Sequence, residues 1–137
     1  MGTNDVQDLI HKYVRMWDAR GEDGLVDEVM APDVIDHQPV GTADGVAGVK
    51  RDIAIYHAAF PDLALTCEDY VLGEDRVAVR WSAAGTHEGA GLGLPPTHRR
   101  VQLHGIDILR IADGRVAERS GQFNGLDMMQ QFTAPAT

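Results

Sequence analysis

The stretch HGIDILRIADGRVAERSGQFNGLDMMQQF, residues 104–132, decides the fold of this chain. It reads as a strand, a tight turn at Asp113-Gly114, a second strand and a short closing helix. One carboxylate, Asp107, stands inside an otherwise apolar alternating run. The period-two rule puts it on one strand face with Val101, Leu103, Gly105, Leu109 and Ile111. Burial among such neighbours disfavours a charged carboxyl and favours a proton-donating one. A group of that kind can stabilise an enolate or act as an acid or base. The alternative is a structural ion pair with Arg80 or Arg110.

Upstream, the same period of two runs through LALTCEDYVL, turns at GED into RVAVRWSAAGTH, and returns after a Gly-Pro loop as RVQLHGIDILRI. This predicts an antiparallel meander from residue 63 onward. Before residue 63 the period is helical. Val6, Leu9, Ile10, Tyr13, Val14 and Trp17 recur at three- and four-residue steps, which puts them on one helix face. Asn4 and Gln7 resemble a capping pair at its start, and Gly21 suits its end. A second helix is expected over 23–31, with Leu25, Val29 and Met30 inward and Pro32 closing it. After a short strand near VIDH, a third helix is expected over Asp44–Phe60 through Val46, Val49, Ile53 and Tyr56, stopped by Pro61. Helices first and a meander afterwards predict an α+β fold with helices on one face of a curved sheet. No repeat or shift in composition divides the 137 residues, so a single domain over 1–137 is expected, with a frayed tail from Thr133 to Thr137.

Bulk composition narrows the function. The formal charge is −9, from 21 acids against 12 Lys and Arg, without a basic block. Nucleic acid and anionic membrane surfaces are therefore poor partners. The lone Cys67 forms no intrachain disulfide, which suits a reducing compartment. The start, MGTNDVQDLIHKYV, has neither a basic n-region nor a long apolar core, so a cytoplasmic protein is expected. Five of the six histidines, His37, His57, His87, His98 and His104, are scattered without HExxH or His-x-His spacing, and no metal site is expected. The loop HEGAGLGLPPTHRR is glycine-rich but leads into a strand and lacks a Lys-Ser/Thr ending. It reads as a flexible lid in preference to a phosphate cradle. Tyr13, on the apolar helix face, directs its hydroxyl to the same interior as Asp107, where a buried phenol needs a partner.

The run from Phe60 to Glu118, with Phe60-Pro61-Asp62, the Arg80 strand, Gly85-Thr86-His87, Pro95-Pro96-Thr97, Gly105-Ile106-Asp107-Ile108 and Asp113-Gly114 in order, resembles the SnoaL-like polyketide cyclases. These are the ester cyclases of the nuclear-transport-factor-two-like superfamily. The resemblance implies a cone-shaped α+β barrel around an apolar cavity, commonly dimerised through its sheet. It also implies cofactor-free chemistry in which a proton leaves an activated carbon and an intramolecular aldol closes a ring. HKYVRMWDARGEDGLV and IDILRI resemble more loosely the ketosteroid isomerases of the same superfamily. There a tyrosine and a protonated aspartic acid form an oxyanion hole, roles that would fall to Tyr13 and Asp107. The isomerase base would correspond to the neighbourhood of Asp36, His37 and Gln38 before Pro39.

Ester cyclases usually carry a Trp and then an acid-base Asp late in the sheet, and alignment puts Ser120 and Asn124 at those places, on one strand face. Asn has no useful basicity near neutral pH, so another group must take the proton. Asp107, His104 and the Asp36-His37 pair are the candidates. The expected site therefore has Asp107, Tyr13, His104 and Asn124 in catalytic roles. Trp17, His37, Tyr56, Phe60, Trp81, His87, Ser120 and Gln122 are expected to bind substrate. The expected function is a cofactor-independent cyclase or isomerase acting on an apolar, polyketide-like small molecule, as a homodimer. The alternatives are a SnoaL-like hydroxylase, an epoxide hydrolase, and a protein that only binds a small ligand.

Overall fold

The computed structural model describes residues 2–22, 24–37, 42–89 and 92–134. In chain order the elements are α1 (Thr3–Trp17), α2 (Leu25–Val29), β1 (Met30–His37), β2 (Thr42–Asp44), α3 (Gly45–Ala59), β3 (Ala64–Leu72), β4 (Arg76–Thr86), β5 (Arg100–Ala112), β6 (Arg115–Phe123) and α4 (Gly125–Thr133). The strands form one six-stranded sheet in the order β2-β1-β6-β5-β4-β3. The meander is antiparallel throughout, and β1 joins β6 in parallel, so the sheet is mixed. It does not close on itself: β2 and β3 are its edges, and the expected barrel is an open cone.

The helical stripe of α1 does what its spacing predicts, with Leu9, Ile10, Tyr13, Val14 and Trp17 all buried. Each such side chain contributes about 1.5–3 kcal/mol through removal from water. With Val49 and Ile53 of α3 and Val77, Val79, Leu109 and Val116 of the sheet they make the larger core cluster. A second cluster joins Phe60, Leu63, Val101 and Leu103 to Met128 and Phe132 of α4. The Asp-Gly hairpin also forms as read: Asp113 and Gly114 have φ of 52° and 76°, both positive as a two-residue primed turn requires.

Four local expectations need correction. The N-cap of α1 is Gly2, whose backbone N–H donates to Asp5 Oδ2 at 3.2 Å, and not the Asn4-Gln7 pair. The same helix ends at Trp17 with Asp18 as its C-cap; Gly21 lies against the helix end, where a Cβ would stand 2.3 Å from the carbonyl oxygen of Arg15. The second helix is shorter than predicted, and Pro32 lies inside β1 instead of closing the helix. Pro cannot donate to the ladder, and the β1–β6 register is interrupted between Met30 and Ile35, which is where Pro32 falls. Finally, β2 pairs with β1 where no strand is expected. Of the anticipated tail, residues 135–137 lie outside the described residues, as do Gln38 and Pro39.

Candidate active site

On the concave face of the sheet, β5 presents Val101, Leu103, Gly105, Asp107 and Leu109 inward, as period-two alternation requires. Asp107 is 2% exposed and pairs across the sheet with Val79 on one side and Gly121 on the other. Its carboxyl accepts from three donors. Tyr13 Oη donates to Oδ2 at 2.5 Å, Arg119 Nη2 donates to Oδ2 at 3.3 Å, and Trp81 Nε1 donates to Oδ1 at 3.1 Å. The ion pair of Asp107 is with Arg119, not with Arg80 or Arg110. Arg80 lies on the opposite face of β4, and Arg110 pairs with Glu118 at 3.2 Å.

Arg119 ties the network together. Its Nε donates to Tyr13 Oη at 2.5 Å and its Nη1 to Asp36 Oδ1 at 2.7 Å, and its guanidinium lies 5.0 Å from the ring centre of Trp17. Asp36 of β1 is fully buried beside its register partner Arg119. Burial works against the charge of Arg119, but the Tyr13 hydroxyl, Asp107 and Asp36 outweigh it and hold the guanidinium well above its ordinary range. Burial pushes the Tyr13 phenol well above its ordinary value; Arg119 opposes that shift and Asp107 reinforces it. Tyr13 thus remains a hydroxyl that passes a hydrogen bond between cation and carboxyl.

Two glycines make room for this arrangement. A Cβ on Gly121 would stand 2.5 Å from Asp107 Oδ1 and 2.6 Å from Arg119 Nη2. On Gly105 it would stand 2.4 Å from Trp81 Cζ2, so the indole crosses the bare backbone of its register partner and aims its N–H at Asp107. The cavity above is lined by Trp17, Tyr56, Trp81 and Phe123, by Leu63, Leu65, Ala83 and Leu103, and by Asp107, Arg119, Gly121 and Gln122. Counted out to its open mouth, with the solvent there included, it encloses about 560 Å³. The walls are apolar and aromatic, with Tyr56 edge-on to both Trp17 and Phe123. Of the polar lining groups, Asp107 and Arg119 lie together, joined by their hydrogen bond.

Of the residues expected to bind substrate, Trp17, Tyr56, Trp81 and Gln122 line this cavity, as does Asp107 of the catalytic set. Tyr13 sits behind Asp107 and Arg119, fully buried, and does not line it. Phe60 and His87 pack with Phe132 in the second core cluster, the His87 and Phe132 rings stacked 4.3 Å apart. His87 Nδ1 accepts from the backbone N–H of Thr97 at 3.3 Å and anchors the root of the Gly-Pro loop, of which Ala90 and Gly91 lie outside the described residues.

The placement of Ser120 and Asn124 on one pocket wall is incorrect. Ser120 pairs with Ile108 on the outer sheet face and is exposed, while Asn124 has left the strand and caps α4, its Oδ1 accepting from Asp127 N at 2.9 Å. His104 is exposed on that same outer face, where it shares a shallow depression with Arg80, Ile106, Gln122 and Asn124. His37 pairs with Glu118 Oε2 at 2.7 Å and does not line the cavity.

Arg119 is the residue that sequence reading missed. A register shift between Arg110 and Ile111 leaves Ala117 unpaired on β6, so the buried positions run Val116, Arg119, Gly121 instead of alternating from Val116. Counting backward by two from Gly121 would have found it. Among the described residues no group of three or more His, Cys, Asp or Glu is placed to hold a metal ion, and no helix is long and apolar enough to cross a membrane.

The sequence pattern described as SnoaL-like polyketide cyclase matches residues 7–132. Among solved structures, TsrD from Streptomyces laurentii is similar with a TM-score of 0.88 and 26% identity, over 98% of this chain and 99% of that one. AclR from Streptomyces galilaeus, a proposed hydroxylase, is similar with a TM-score of 0.84 and 26% identity, over 99% and 85% of the two chains. IdmH from Streptomyces antibioticus, a proposed polyketide cyclase, is similar with a TM-score of 0.79 and 28% identity, over 91% and 96%. No curated protein is similar enough in sequence to match.

Proposed function

This chain belongs to the SnoaL-like polyketide cyclase family, and from that premise we propose that it is a cofactor-independent cyclase or isomerase, a single cytoplasmic domain acting on an apolar, polyketide-like carbonyl compound. The observation that carries the reading is the Asp107 carboxyl, paired with Arg119, in the lining of an aromatic-walled cavity. Asp107 takes a proton from carbon next to a carbonyl, and the resulting enolate attacks within the same molecule or is reprotonated elsewhere. The apolar walls exclude water and hold the substrate near its reactive conformer. Tyr13 is a positioning residue: its hydroxyl orients Asp107 and Arg119 from behind. His104 and Asn124 lie away from this cavity, which supports Asp107 over His104 as the proton acceptor.

Deuterium uptake from heavy water into β-keto esters and β,γ-enones, read by mass spectrometry, tests the proposal. Uptake with wild type that is lost in Asp107→Asn supports it. An absence of uptake with wild type sinks it and brings simple ligand binding forward. A second reading, hydroxylation, is supported by the similarity to AclR; it would show as oxygen-dependent conversion of an electron-rich aromatic substrate.

A homodimer through the outer sheet face is part of the same proposal. Ile35, Val71, Ile106 and Ile108 are 40–66% exposed there, and large apolar side chains left open on a sheet face suit a partner surface. Sedimentation of wild type against Ile108→Asp checks it, and a monomeric wild type refutes it.

A further inference from the structure

The proposed proton abstraction leaves one requirement unmet: a group must hold the charge that appears on the substrate oxygen. Tyr13 cannot, because its hydroxyl is enclosed between Asp107 and Arg119 and does not line the cavity. We infer that Arg119 is this group, a catalytic residue that binds the developing oxyanion, and that the substrate is therefore a planar compound able to carry an enolate or phenolate oxygen. The inference rests on the proton-transfer reading for its reaction, but not for its binding chemistry.

A guanidinium carries five N–H donors in a rigid fork. Three are used among the described residues: Nε on Tyr13, Nη1 on Asp36 and Nη2 on Asp107. One N–H remains on each terminal nitrogen, on a side chain that lines the cavity while only 9% exposed. A donor so placed is stronger than in water and needs no reorganisation during reaction.

A second observation points the same way. Trp17 also lines the cavity, is 7% exposed, and its buried indole Nε1 has no hydrogen-bond partner among the described residues. Leaving a buried donor unmatched costs about 1–3 kcal/mol, which an oxygen on the substrate would offset. Trp17 and Arg119 are in contact through the indole face, and both line the cavity.

The placement also conserves charge. Before reaction, Arg119 faces the Asp107 carboxylate at 3.3 Å. When the substrate C–H bond breaks, its proton passes to Asp107, the electron pair forms a carbon–carbon double bond, and the carbonyl oxygen becomes the anion. Arg119 loses one anionic neighbour and gains another, with no net charge created in the buried site. The bare backbone of Gly121 lets the base and the cation lie side by side for this exchange.

The test is equilibrium binding of para-nitrophenol, whose phenolate absorbs at longer wavelength than its neutral form. With wild type at a pH one unit below its solution pKa, the bound molecule is expected as phenolate, its apparent pKa lowered by about one to two units. Asp107→Asn removes the competing anion and should tighten phenolate binding about tenfold, a change of ~1.4 kcal/mol. Arg119→Lys keeps the charge but not the fork and should retain only part of the shift. Arg119→Met, accepted only if its circular dichroism is native, should abolish it. Neutral nitrophenol in the wild-type cavity, or no binding, overturns the inference without use of any variant. Anionic binding that depends on Arg119, in a protein that takes up no deuterium, upholds the oxyanion site and refutes the proposed reaction alone.

Discussion

Tyr13 Oη donates to Asp107 Oδ2 across 2.5 Å, although 94 residues separate them in the chain. The same oxygen accepts from Arg119 Nε at 2.5 Å, so one hydroxyl couples the first helix to the two central strands of the site. Tyr13→Phe keeps the ring and removes the link, leaving Arg119 Nε without its acceptor. The expected cost is about 1–3 kcal/mol of stability by urea unfolding. Deuterium uptake should fall roughly tenfold through a lower kcat, since the substrate does not touch Tyr13. A change confined to KM would contradict the positioning role.

Gly121→Ala tests the close approach of Asp107 and Arg119. Its Cβ would fall 2.5 Å and 2.6 Å from their polar atoms, so both side chains must move. Overpacking of this kind costs roughly 1–3 kcal/mol, and a displaced base should cost far more in rate than in stability. A folded Gly121→Ala protein with wild-type activity would show that the pairing is not needed.

Asn124 provides a contrast. As the cap of α4 it is replaceable by Asp, which also accepts the Asp127 N–H and suits a helix N-terminus. Asn124→Asp is expected to leave both stability and turnover nearly unchanged, and His104→Ala to leave turnover unchanged. A large gain in cyclisation from Asn124→Asp would move the proton-transfer site to the outer face.

Acid sensitivity should reside partly in Asp18. The Arg20 side chain holds this carboxyl well below the usual carboxylate range; burial opposes the shift, and the backbone N–H groups of Arg20 and Leu65 add to it. A carboxyl depressed in the folded state contributes stability above its unfolded value, near pH ~4, and loses it as pH falls toward the folded value. Asp18→Asn should therefore cost about 1.5–3 kcal/mol at pH 7, with the gap to wild type closing below pH ~4. A gap that widened in acid would reverse the assigned sign.

Asp52 has the opposite sign. Its Oδ2 is buried without a partner among the described residues, and burial, reinforced by Asp36, raises its proton affinity. Such a group destabilises the folded state once pH exceeds both its folded and unfolded values, and no longer does so below both. Asp52→Asn should raise the Tm at pH 7, and the advantage should vanish as pH falls through about 4. A lower Tm for Asp52→Asn at pH 7 would contradict it.

Much of the architecture was legible because it is local. The stripe from Val6 to Trp17 and the alternation from Val101 to Ile111 are periodicities of single elements, and both appear in the structure with the faces they predict. Asp107 was legible for the same reason, as a charge on an otherwise apolar face. The Pro32 strand was not, since whether a proline ends a helix or sits in a strand depends on which neighbour the backbone pairs with.

The amino-acid sequence by itself determined the α+β class and the inward face of β5 with its one carboxyl, since these follow from residue periods, while the apolar cavity was what the family resemblance implied. Only the tertiary structure decided who meets Asp107. A bulge at Ala117 turns Arg119 inward, parallel pairing brings Asp36 beside it, and helix packing delivers Tyr13 between cation and carboxyl. Each is a long-range event set by strand register and not by local propensity, and slipping β6 by one residue would present Ser120 to the cavity in place of Arg119.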